Sequence, residues 1–287
     1  MESHDNGSRV KRTYAVIGIA SAVVFAMALY FSLADFDGSE TSNASIETAS
    51  LPPLAANEIH RGLNYSLAEV ADQKLVPRIF VKAIRVDLGR IQDVDMKKAT
   101  FFKILLPIIA RENDRIRADR EKISKDPSDI SAALYEKYDV EVGDVDELLK
   151  HVDIVPASLV LAQAALESGW GSSRFARRGN NYFGMRTYDP DVPGIEPRHA
   201  EGFKVMTFKN ISHGVRVYIA NLNTHGAYKK LRDARAKMRA DGKPPTGRPL
   251  THYLTSYSEI PDKYEKRLRA VIDQNGLSRY DGVRLAS

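Results

Sequence analysis

The fold of this chain depends most on the stretch Ala164-Ala165-Leu166-Glu167-Ser168-Gly169-Trp170-Gly171, which ends an apolar segment. Residues 157–166 carry no charged side chain, which is typical of a helix enclosed by the core. Pro156 suits the first helical position, because its missing N–H would have no partner there. Gly169 suits the helix end, because glycine adopts backbone angles that other residues avoid. The stretch therefore predicts a core helix that opens into a cleft, with Glu167 in its last turn.

A carboxyl group at the end of a buried helix is a candidate general acid. Burial disfavours the charged form and raises the pKa, so that a glutamate such as Glu167 keeps its proton near neutral pH. Gln163 lies four positions earlier and shares its helix face, and the only tryptophan, Trp170, follows three positions later. The structural alternative is that Glu167 caps a neighbouring helix or pairs with an arginine downstream. For a lone glutamate that alternative carries more weight, and the motifs that follow reverse the order.

Three motifs follow one another along the second half of the chain. E-S-G-W-G-S-S-R-F-A begins at Glu167, N-N-Y-F-G-M-R begins at Asn180, and Y-S-E-I-P-D-K-Y begins at Tyr257. Together they resemble the glucosaminidase domain family, whose members hydrolyse the glycan strands of peptidoglycan. The likeness covers residues from about 150 to 276 and extends in particular to the bacterial Bax-type subgroup, in which a helical segment precedes the same domain.

The resemblance implies roles for residues that match these motifs. Glu167 occupies the position of the family's catalytic acid, and Tyr257 that of an active-site tyrosine that supports catalysis. Trp170 and Tyr264 are predicted to bind substrate. Residues 258–260 depart from the family's usual Ala-Thr-Asp, which weakens any role for the aspartate of that motif and leaves both tyrosines in place.

The second motif is expected to line the groove that binds sugar. Asn181, Phe183 and Gly184 match the lining segment of the family. Tyr182 stands where leucine is commoner, and it either stacks on a sugar ring or fills the core. All four residues are predicted to belong to the substrate-binding site.

A second carboxylate is the usual partner of a glycosidase acid, as base or nucleophile. The family often places it on a hairpin after the signature helix, here residues 187–208, and Glu201 is the predicted partner. Residues 201–208 alternate as a strand does, with Glu201 at its entrance. Two alternatives stay open. In the first, Glu201 is only a solvated charge at the end of a strand. In the second, the acetamido group of an N-acetylated sugar is the nucleophile, so that no second carboxylate is needed.

Near the amino terminus, residues 14–33 form an uncharged run of the length that spans a bilayer. Basic residues precede it, and by the positive-inside rule they keep residues 1–13 in the cytoplasm. We therefore predict a transmembrane anchor at 14–34 and a single-pass protein of the bacterial inner membrane, with its catalytic domain in the periplasm. The alternative is a cleaved signal peptide and a soluble periplasmic protein, since small residues near position 34 offer a cleavage site.

Beyond the anchor the sequence divides into a polar linker at 35–50, a helical amino-terminal region at 51–149 and a glucosaminidase domain at 150–287. Residues 96–125 predict one long helix, kinked at Pro107. Its apolar first half is expected to pack against the catalytic domain, and its charged second half to extend into solvent.

Two further helices are predicted after the hairpin. Ser212 is a suitable N-cap for the first. Residues 229–239 are strongly basic, and the commonest explanation is a solvated helix face. The net charge of +5 is small and no nucleic-acid motif accompanies it, so no nucleic-acid partner is predicted. An electrostatic preference for the anionic wall or membrane surface fits better.

Several chemistries are excluded by what the sequence lacks. The chain has no cysteine, and so neither a thiol nucleophile nor a disulfide. Its histidines lack the H-E-x-x-H spacing of zinc peptidases, and no glycine-rich phosphate loop occurs. Neither a metal nor another cofactor is predicted.

The predicted fold is mainly α (α+β), a lysozyme-like helical domain with a small β hairpin over the cleft. The predicted function is cleavage of peptidoglycan as an endo-β-N-acetylglucosaminidase, with Glu167 as general acid. The predicted partners are the glycan strands and the inner membrane. The nearest alternative is a lytic transglycosylase, which needs a single acid. From another class, the alternative is a catalytically inactive, membrane-anchored module that binds peptidoglycan.

Overall fold

The computed structural model describes residues 56–198, 200–254, 257 and 261–287. The predicted cytoplasmic end, anchor and linker, residues 1–50, lie outside this part of the chain. Within it, no helix combines the length and the apolar character that crossing a bilayer requires.

The described part is mainly helical, with short strands, which confirms the predicted class; the lysozyme-like arrangement stays a prediction. The helices are α1 (Ala56–Gly62), α2 (Leu67–Gln73), α3 (Val94–Lys125), α4 (Ala132–Lys137), α5 (Val145–His151), α6 (Ala157–Ser168), α7 (Arg174–Gly179), α8 (Ile211–Thr224), α9 (Lys229–Ala240), α10 (Gly247–Leu250) and α11 (Pro261–Gln274). The strands are β1 (Leu75–Val76), β2 (Arg186–Thr187), β3 (Gly194–Ile195), β4 (Lys204–Met206) and β5 (Arg284–Leu285).

Helix α6 is the buried helix that the sequence predicts, and it carries Glu167 in its last turn. Pro156 is the N-cap, one position earlier than predicted. Gly169 ends the helix in the left-handed conformation, with φ +57°. At the other end, Ser158 N donates to the carboxylate of Asp281 at 2.9 Å. A side chain from the carboxyl-terminal segment thus satisfies a backbone donor that the helix start leaves open.

Helix α3 is the long predicted helix, and it continues through Pro107. Its first half is buried and packs against α6 and α8, as expected. The expectation of a solvated second half is wrong for Glu112, Asn113 and Asp119, which are buried. Their polar groups have partners inside the fold, since Glu112, for example, accepts a hydrogen bond from Arg216 at 3.1 Å.

The predicted hairpin is a small antiparallel sheet with the strand order β2-β4-β3. Arg186 pairs with Val205, and Gly194 pairs with Met206. The sheet has one strand more than the predicted hairpin, because strands of two residues, such as β2 and β3, are too short to show an alternating pattern.

The segment after α2 is joined to the carboxyl-terminal segment by a parallel pair, β1 and β5, in which Leu75 lies opposite Arg284. Buried side chains form one core that extends from Ile59 to Val283. The boundary between residues 149 and 150 stays an interpretation of the sequence, and the packing is continuous across it.

Helix α8 is capped by Asn210 rather than by Ser212, because the Asn210 side chain accepts from His213 N at 2.8 Å. The basic helix α9 also departs from expectation. Arg232 and Arg235 are buried, so this run is not simply a solvated face.

Arg235 holds the segment that leads into α6. Its guanidinium donates to the backbone oxygens of Asp153 and Ile154 at 3.0 Å and of Lys150 at 3.1 Å. Burial lowers the pKa of Arg235 to about 10, which leaves the group charged at neutral pH. These bonds satisfy carbonyl groups that the turn before α6 would otherwise leave open.

Candidate active site

Glu167 lies partly exposed at the end of α6. Its Oε1 accepts a hydrogen bond from the hydroxyl of Tyr264, at 2.9 Å. Among the residues that the structure describes, Oε2 has no hydrogen-bond partner. One carboxyl oxygen is therefore held by the protein, and the other has no partner in the described part of the chain.

Burial raises the pKa of Glu167 from the usual 4.5 to about 7. The hydrogen bond from Tyr264 and the charges of Arg267 and Arg186 act in the opposite direction, because each favours the carboxylate. Burial outweighs them. At neutral pH the group is divided between its two forms, which suits an acid that gives up a proton and recovers it.

A line of buried side chains leads to this carboxyl group. The hydroxyl of Tyr218, on α8, donates to Oε1 of Gln163. The Nε2 of Gln163 donates to the hydroxyl oxygen of Tyr264 at 3.1 Å, and Tyr264 donates to Glu167. The predicted shared face of Gln163 and Glu167 is confirmed, since both bond the same hydroxyl group.

Aromatic contacts close this line into a ring. Tyr257 stacks on Tyr264, with ring centroids 5.7 Å apart and planes at 12°. Its hydroxyl donates to the backbone oxygen of Phe183 at 2.6 Å, and the Phe183 ring stacks on Tyr218 at 3.8 Å. Burial raises the pKa values of Tyr257 and Tyr264, so both stay protonated. Among the described residues, the contacts of Tyr257 go to Tyr264 and Phe183, and its role in catalysis stays a prediction.

Asn181 is buried, and its amide is used within the protein. The Nδ2 donates to the backbone oxygens of Met185 and Met206, both at 2.9 Å. The Oδ1 accepts from Phe183 N and Met185 N, both at 3.2 Å. These bonds tie the second motif to β4, and a direct contact of Asn181 with sugar stays a prediction.

Tyr182 and Trp170 pack against α3. Tyr182 is 1% exposed and its ring lies 6.2 Å from that of Phe101, which favours the core-filling alternative. Trp170 is half-buried and meets Phe101 and Phe102 edge-on, both at 5.7 Å. Lys98 lies over its ring at 5.4 Å. The predicted contact of Trp170 with substrate remains untested by these neighbours.

The remaining predicted residues lie on exposed segments. Gly184 is partly exposed, with φ +67°, a conformation that favours glycine. Glu201 is exposed in the segment that precedes β4. Within the described residues it makes no hydrogen bond or ion pair, and its role as second carboxylate stays a prediction.

Three residues near Glu167 were not predicted to belong to the site, namely Tyr218, Arg186 and Arg267. Tyr218 has the helical spacing of a core residue, and its hydroxyl meets a partner 55 positions away, for which no local pattern exists. The two arginines come from β2 and α11 and meet only through the fold. In the described ranges, no group of histidines and acids is arranged to hold a metal ion.

The chain is similar to known proteins. The sequence profile of the Glucosaminidase family, described as mannosyl-glycoprotein endo-beta-N-acetylglucosaminidase, matches residues 143–277. Protein bax of Escherichia coli is 32% identical over 204 residues, which cover 66% of this chain and 73% of that protein. The catalytic domain of the autolysin Auto from Listeria monocytogenes is 16% identical, with a TM-score of 0.38 over 76% of this chain and 98% of that domain.

Proposed function

The chain belongs to the glucosaminidase family, and on that premise we propose that it is a peptidoglycan hydrolase, an endo-β-N-acetylglucosaminidase that cleaves within the glycan strand. The observation that carries the proposal is the environment of Glu167, a carboxyl group whose burial raises its pKa to about 7. A general acid is most effective when its pKa lies near the working pH.

In the proposed reaction, Glu167 protonates the oxygen of the glycosidic bond as that bond breaks. The sugar left behind develops oxocarbenium character, and water completes the hydrolysis. Tyr257 supports this step indirectly. Its ring stacks on Tyr264 and its hydroxyl bonds the backbone of Phe183, so it holds in place the residue that bonds the acid.

The second catalytic group is either Glu201 or the substrate's own acetamido group. Glu201 is exposed and lies next to the small sheet, where binding of a glycan strand would have to bring it to the sugar. The charged neighbours that act on Glu167 in the described residues are Arg267 and Arg186, both positive. No carboxylate of the described residues is among the groups that shift the pKa of Glu167, and a route that needs a single acid is compatible with this.

The same observation supports the second candidate function, lytic transglycosylation of the same polymer. That reaction also needs a single acid and ends in an anhydro sugar instead of a reducing end. The two candidates therefore differ in their product and share the role of Glu167.

We further propose that residues 14–34 anchor the protein in the bacterial inner membrane and that the catalytic domain acts in the periplasm. The support is the uncharged run and the basic residues before it, together with a substrate that lies outside the inner membrane. Protease added to intact cells should leave the domain uncut and should digest it once the outer membrane is opened. Digestion only after lysis of the inner membrane would refute this location.

The test of the function is incubation of the full-length chain, purified in detergent, with purified peptidoglycan, followed by mass spectrometry of the products. New reducing N-acetylglucosamine ends are expected, and none from Glu167→Gln. The matched control is Glu121→Gln, which removes an exposed carboxylate of α3 that pairs with Lys125 and should leave cleavage unchanged.

The other outcomes separate the alternatives. Anhydromuramic ends would assign the lytic transglycosylase, and binding of peptidoglycan without products would leave only the wall-binding module. Loss of cleavage in Glu201→Gln would support Glu201 as the partner. Full activity in that variant would remove Glu201 and favour the acetamido group.

A further inference from the structure

The hydrogen bonds that lead to Glu167 all run in one direction. Tyr218 donates to Gln163, Gln163 donates to Tyr264, and Tyr264 donates to Oε1 of Glu167. A phenol has one proton to donate. Because Gln163 already donates a hydrogen bond to the hydroxyl oxygen of Tyr264, Tyr264 donates its own proton to Glu167. The direction of the last bond therefore depends on the amide two steps away from the substrate.

We propose that Gln163 and Tyr218 are positioning residues that keep the acid proton of Glu167 on Oε2. This inference rests on the proposed role of Glu167 as general acid. Because Oε1 already accepts a hydrogen bond from Tyr264, a proton on Oε1 would face another proton. The proton therefore resides on Oε2, the oxygen with no partner among the described residues, where it meets the glycosidic oxygen.

The reversed amide would have the opposite effect. If Gln163 turned by half a rotation about its last bond, its Oε1 would face Tyr264 and its Nε2 would face Tyr218. Tyr264 would then donate to Gln163 and present its oxygen to Glu167. A protonated Glu167 would donate to Tyr264 in that state, and its proton would point into the protein instead of toward the substrate.

Tyr218 fixes the productive orientation. Its ring is fully buried on α8 and lies face to face with Phe183, at 3.8 Å and 5°, so its hydroxyl is held against Gln163. Burial raises the pKa of Tyr218, which keeps the hydroxyl protonated and able to donate. A buried amide oxygen without that donor would lose a hydrogen bond that nothing else replaces.

Among the described residues, no other group donates a hydrogen bond to Glu167. Arg267 on α11 and Arg186 on β2 carry the charges that act on it, and they lower the pKa of the carboxyl group. Four tyrosines also interact electrostatically with Glu167. Burial raises the pKa of each hydroxyl, so all four are neutral; they are Tyr218, Tyr228, Tyr257 and Tyr264. The direction of a single hydrogen bond remains as the feature that distinguishes Oε1 from Oε2.

Infrared spectroscopy of the full-length chain tests where the proton resides. The C=O stretch of a protonated carboxyl group absorbs apart from the amide bands, and a hydrogen bond to the carbonyl oxygen lowers its frequency. A pH titration identifies the Glu167 band as the one missing in Glu167→Gln. We expect a lowered frequency in the unchanged protein. The frequency should rise in Tyr264→Phe, which removes the donor, and in Tyr218→Phe, in which the Gln163 amide can turn and accept the Tyr264 proton. Gln163→Met leaves Tyr264 no acceptor but Glu167 and should keep the lowered frequency.

The matched control is Tyr138→Phe. The Tyr138 hydroxyl donates to Asp119 at 3.0 Å in another part of the core, so this variant also loses one buried hydrogen bond from a tyrosine. Its Glu167 band should not move. The titration midpoint of Glu167 should rise by about 1 pH unit in Tyr264→Phe, which removes the bond that favours the carboxylate, and in Tyr218→Phe, which lets the Gln163 amide turn and redirect that bond. It should stay unchanged in Tyr138→Phe.

The cleavage assay adds a second reading. We expect Tyr218→Phe to lower kcat about tenfold, a part of what a general acid contributes, with KM unchanged. A band and midpoint in Tyr218→Phe that match Tyr138→Phe would overturn the inference. Since the infrared titration needs no turnover, absence of cleavage by the unchanged protein would refute the proposed function and leave the position of the proton decided separately.

Discussion

The hydroxyl of Tyr264 lies 2.9 Å from Oε1 of Glu167 and joins α11 to the end of α6. The two residues are 97 positions apart, and each belongs to one of the motifs on which the family resemblance rests. The late tyrosine motif is therefore connected to the acid by a direct bond. The same bond lowers the pKa of Glu167, while burial raises it further, so that the balance falls at about 7.

The first prediction concerns the pH dependence of cleavage. The acid must be protonated to act, and the pKa of Glu167 is about 7. The rate should therefore fall as the pH rises through 7, approaching a tenfold loss for each further pH unit. Rates of release of reducing ends, measured across this range at saturating peptidoglycan, check it. A decline already centred near pH 4.5 would contradict the raised pKa.

The second prediction concerns stability. The folded-state pKa of Glu167 lies above its unfolded value of 4.5, so the folded state binds the proton more tightly. Its contribution is fully present below pH 4.5 and is lost as the pH rises through 7. Between pH 4 and pH 8, the free energy of unfolding of the unchanged protein should fall by at most about 3 kcal/mol relative to that of Glu167→Gln. Urea denaturation at the two pH values measures the difference, and equal changes in both proteins would contradict it.

The third prediction concerns Tyr257. In Tyr257→Phe the ring still stacks on Tyr264, but the buried oxygen of Phe183 loses its donor. The free energy of unfolding should fall by about 1–3 kcal/mol, and cleavage should weaken because the segment of Phe183 is held less firmly. The Glu167 titration midpoint should stay within about 0.5 pH unit, since no hydrogen bond to Glu167 is removed. A larger shift of that midpoint would indicate direct contact.

Local sequence was sufficient to predict the parts of the site that lie on one helix. The uncharged residues before Glu167 and the glycine at 169 define α6 and its end, and the spacing of Gln163 and Glu167 defines their common face. Each of these features depends on neighbours within a few positions, which is the range over which helix geometry acts. The candidate acid and its helix were therefore accessible without a structure.

Contacts between distant segments were not accessible in this way. Tyr218 has the spacing of a core residue, and its hydroxyl finds Gln163 only because α8 packs beside α6. Arg235 belongs to a basic run that resembles a solvated helix face. The sequence does not reveal that backbone carbonyl groups within residues 150–154 accept hydrogen bonds from its guanidinium. Partners of this kind are determined by packing between distant segments, which the composition of the chain does not reveal.

The fourth prediction concerns the pair of half-buried Arg239 and buried Asp153. Arg239 donates two hydrogen bonds to Asp153, at 2.7 and 2.6 Å, and Asp153 is 2% exposed. Arg239→Met should lower the free energy of unfolding by about 3 kcal/mol, because it leaves a buried charge with less compensation. The matched control is Arg248→Met. The two bonds from Arg248 to Asp273 are exposed and screened by solvent, so their loss should lower the free energy of unfolding less than Arg239→Met does.

The pH dependence of this pair gives a further check. Burial alone would raise the pKa of Asp153, but the hydrogen bonds from Arg239 and the charge of Arg235 outweigh it and hold the pKa below 3.8. The stabilisation is therefore present above pH 3.8 and is lost as the pH falls through the folded-state value. Below that value the difference in free energy of unfolding between Arg239→Met and the unchanged protein should become smaller. Equal losses in Arg239→Met and Arg248→Met at neutral pH would contradict the structure.

The last prediction concerns Gly247, at the first turn of α10, which lies against the start of α6. Its N donates to Asp281 at 3.0 Å, and Asp281 also accepts from Ser158. A Cβ at Gly247 would approach Leu159 N to 2.7 Å and would also meet Ser158 Oγ. Gly247→Ala should lower the free energy of unfolding by about 1–3 kcal/mol and weaken cleavage, because the start of the helix that carries Glu167 must shift.

Gly226→Ala is the matched control for this effect. A Cβ at Gly226 would meet nothing within 4 Å, so the added methyl group restricts the unfolded chain without a clash, and the variant should be as stable as the unchanged protein or more stable by up to about 1 kcal/mol. Urea denaturation and the cleavage assay on both variants separate the two effects. If Gly247→Ala were as stable and active as Gly226→Ala, the close approach of α10 to α6 would not be needed to position the acid.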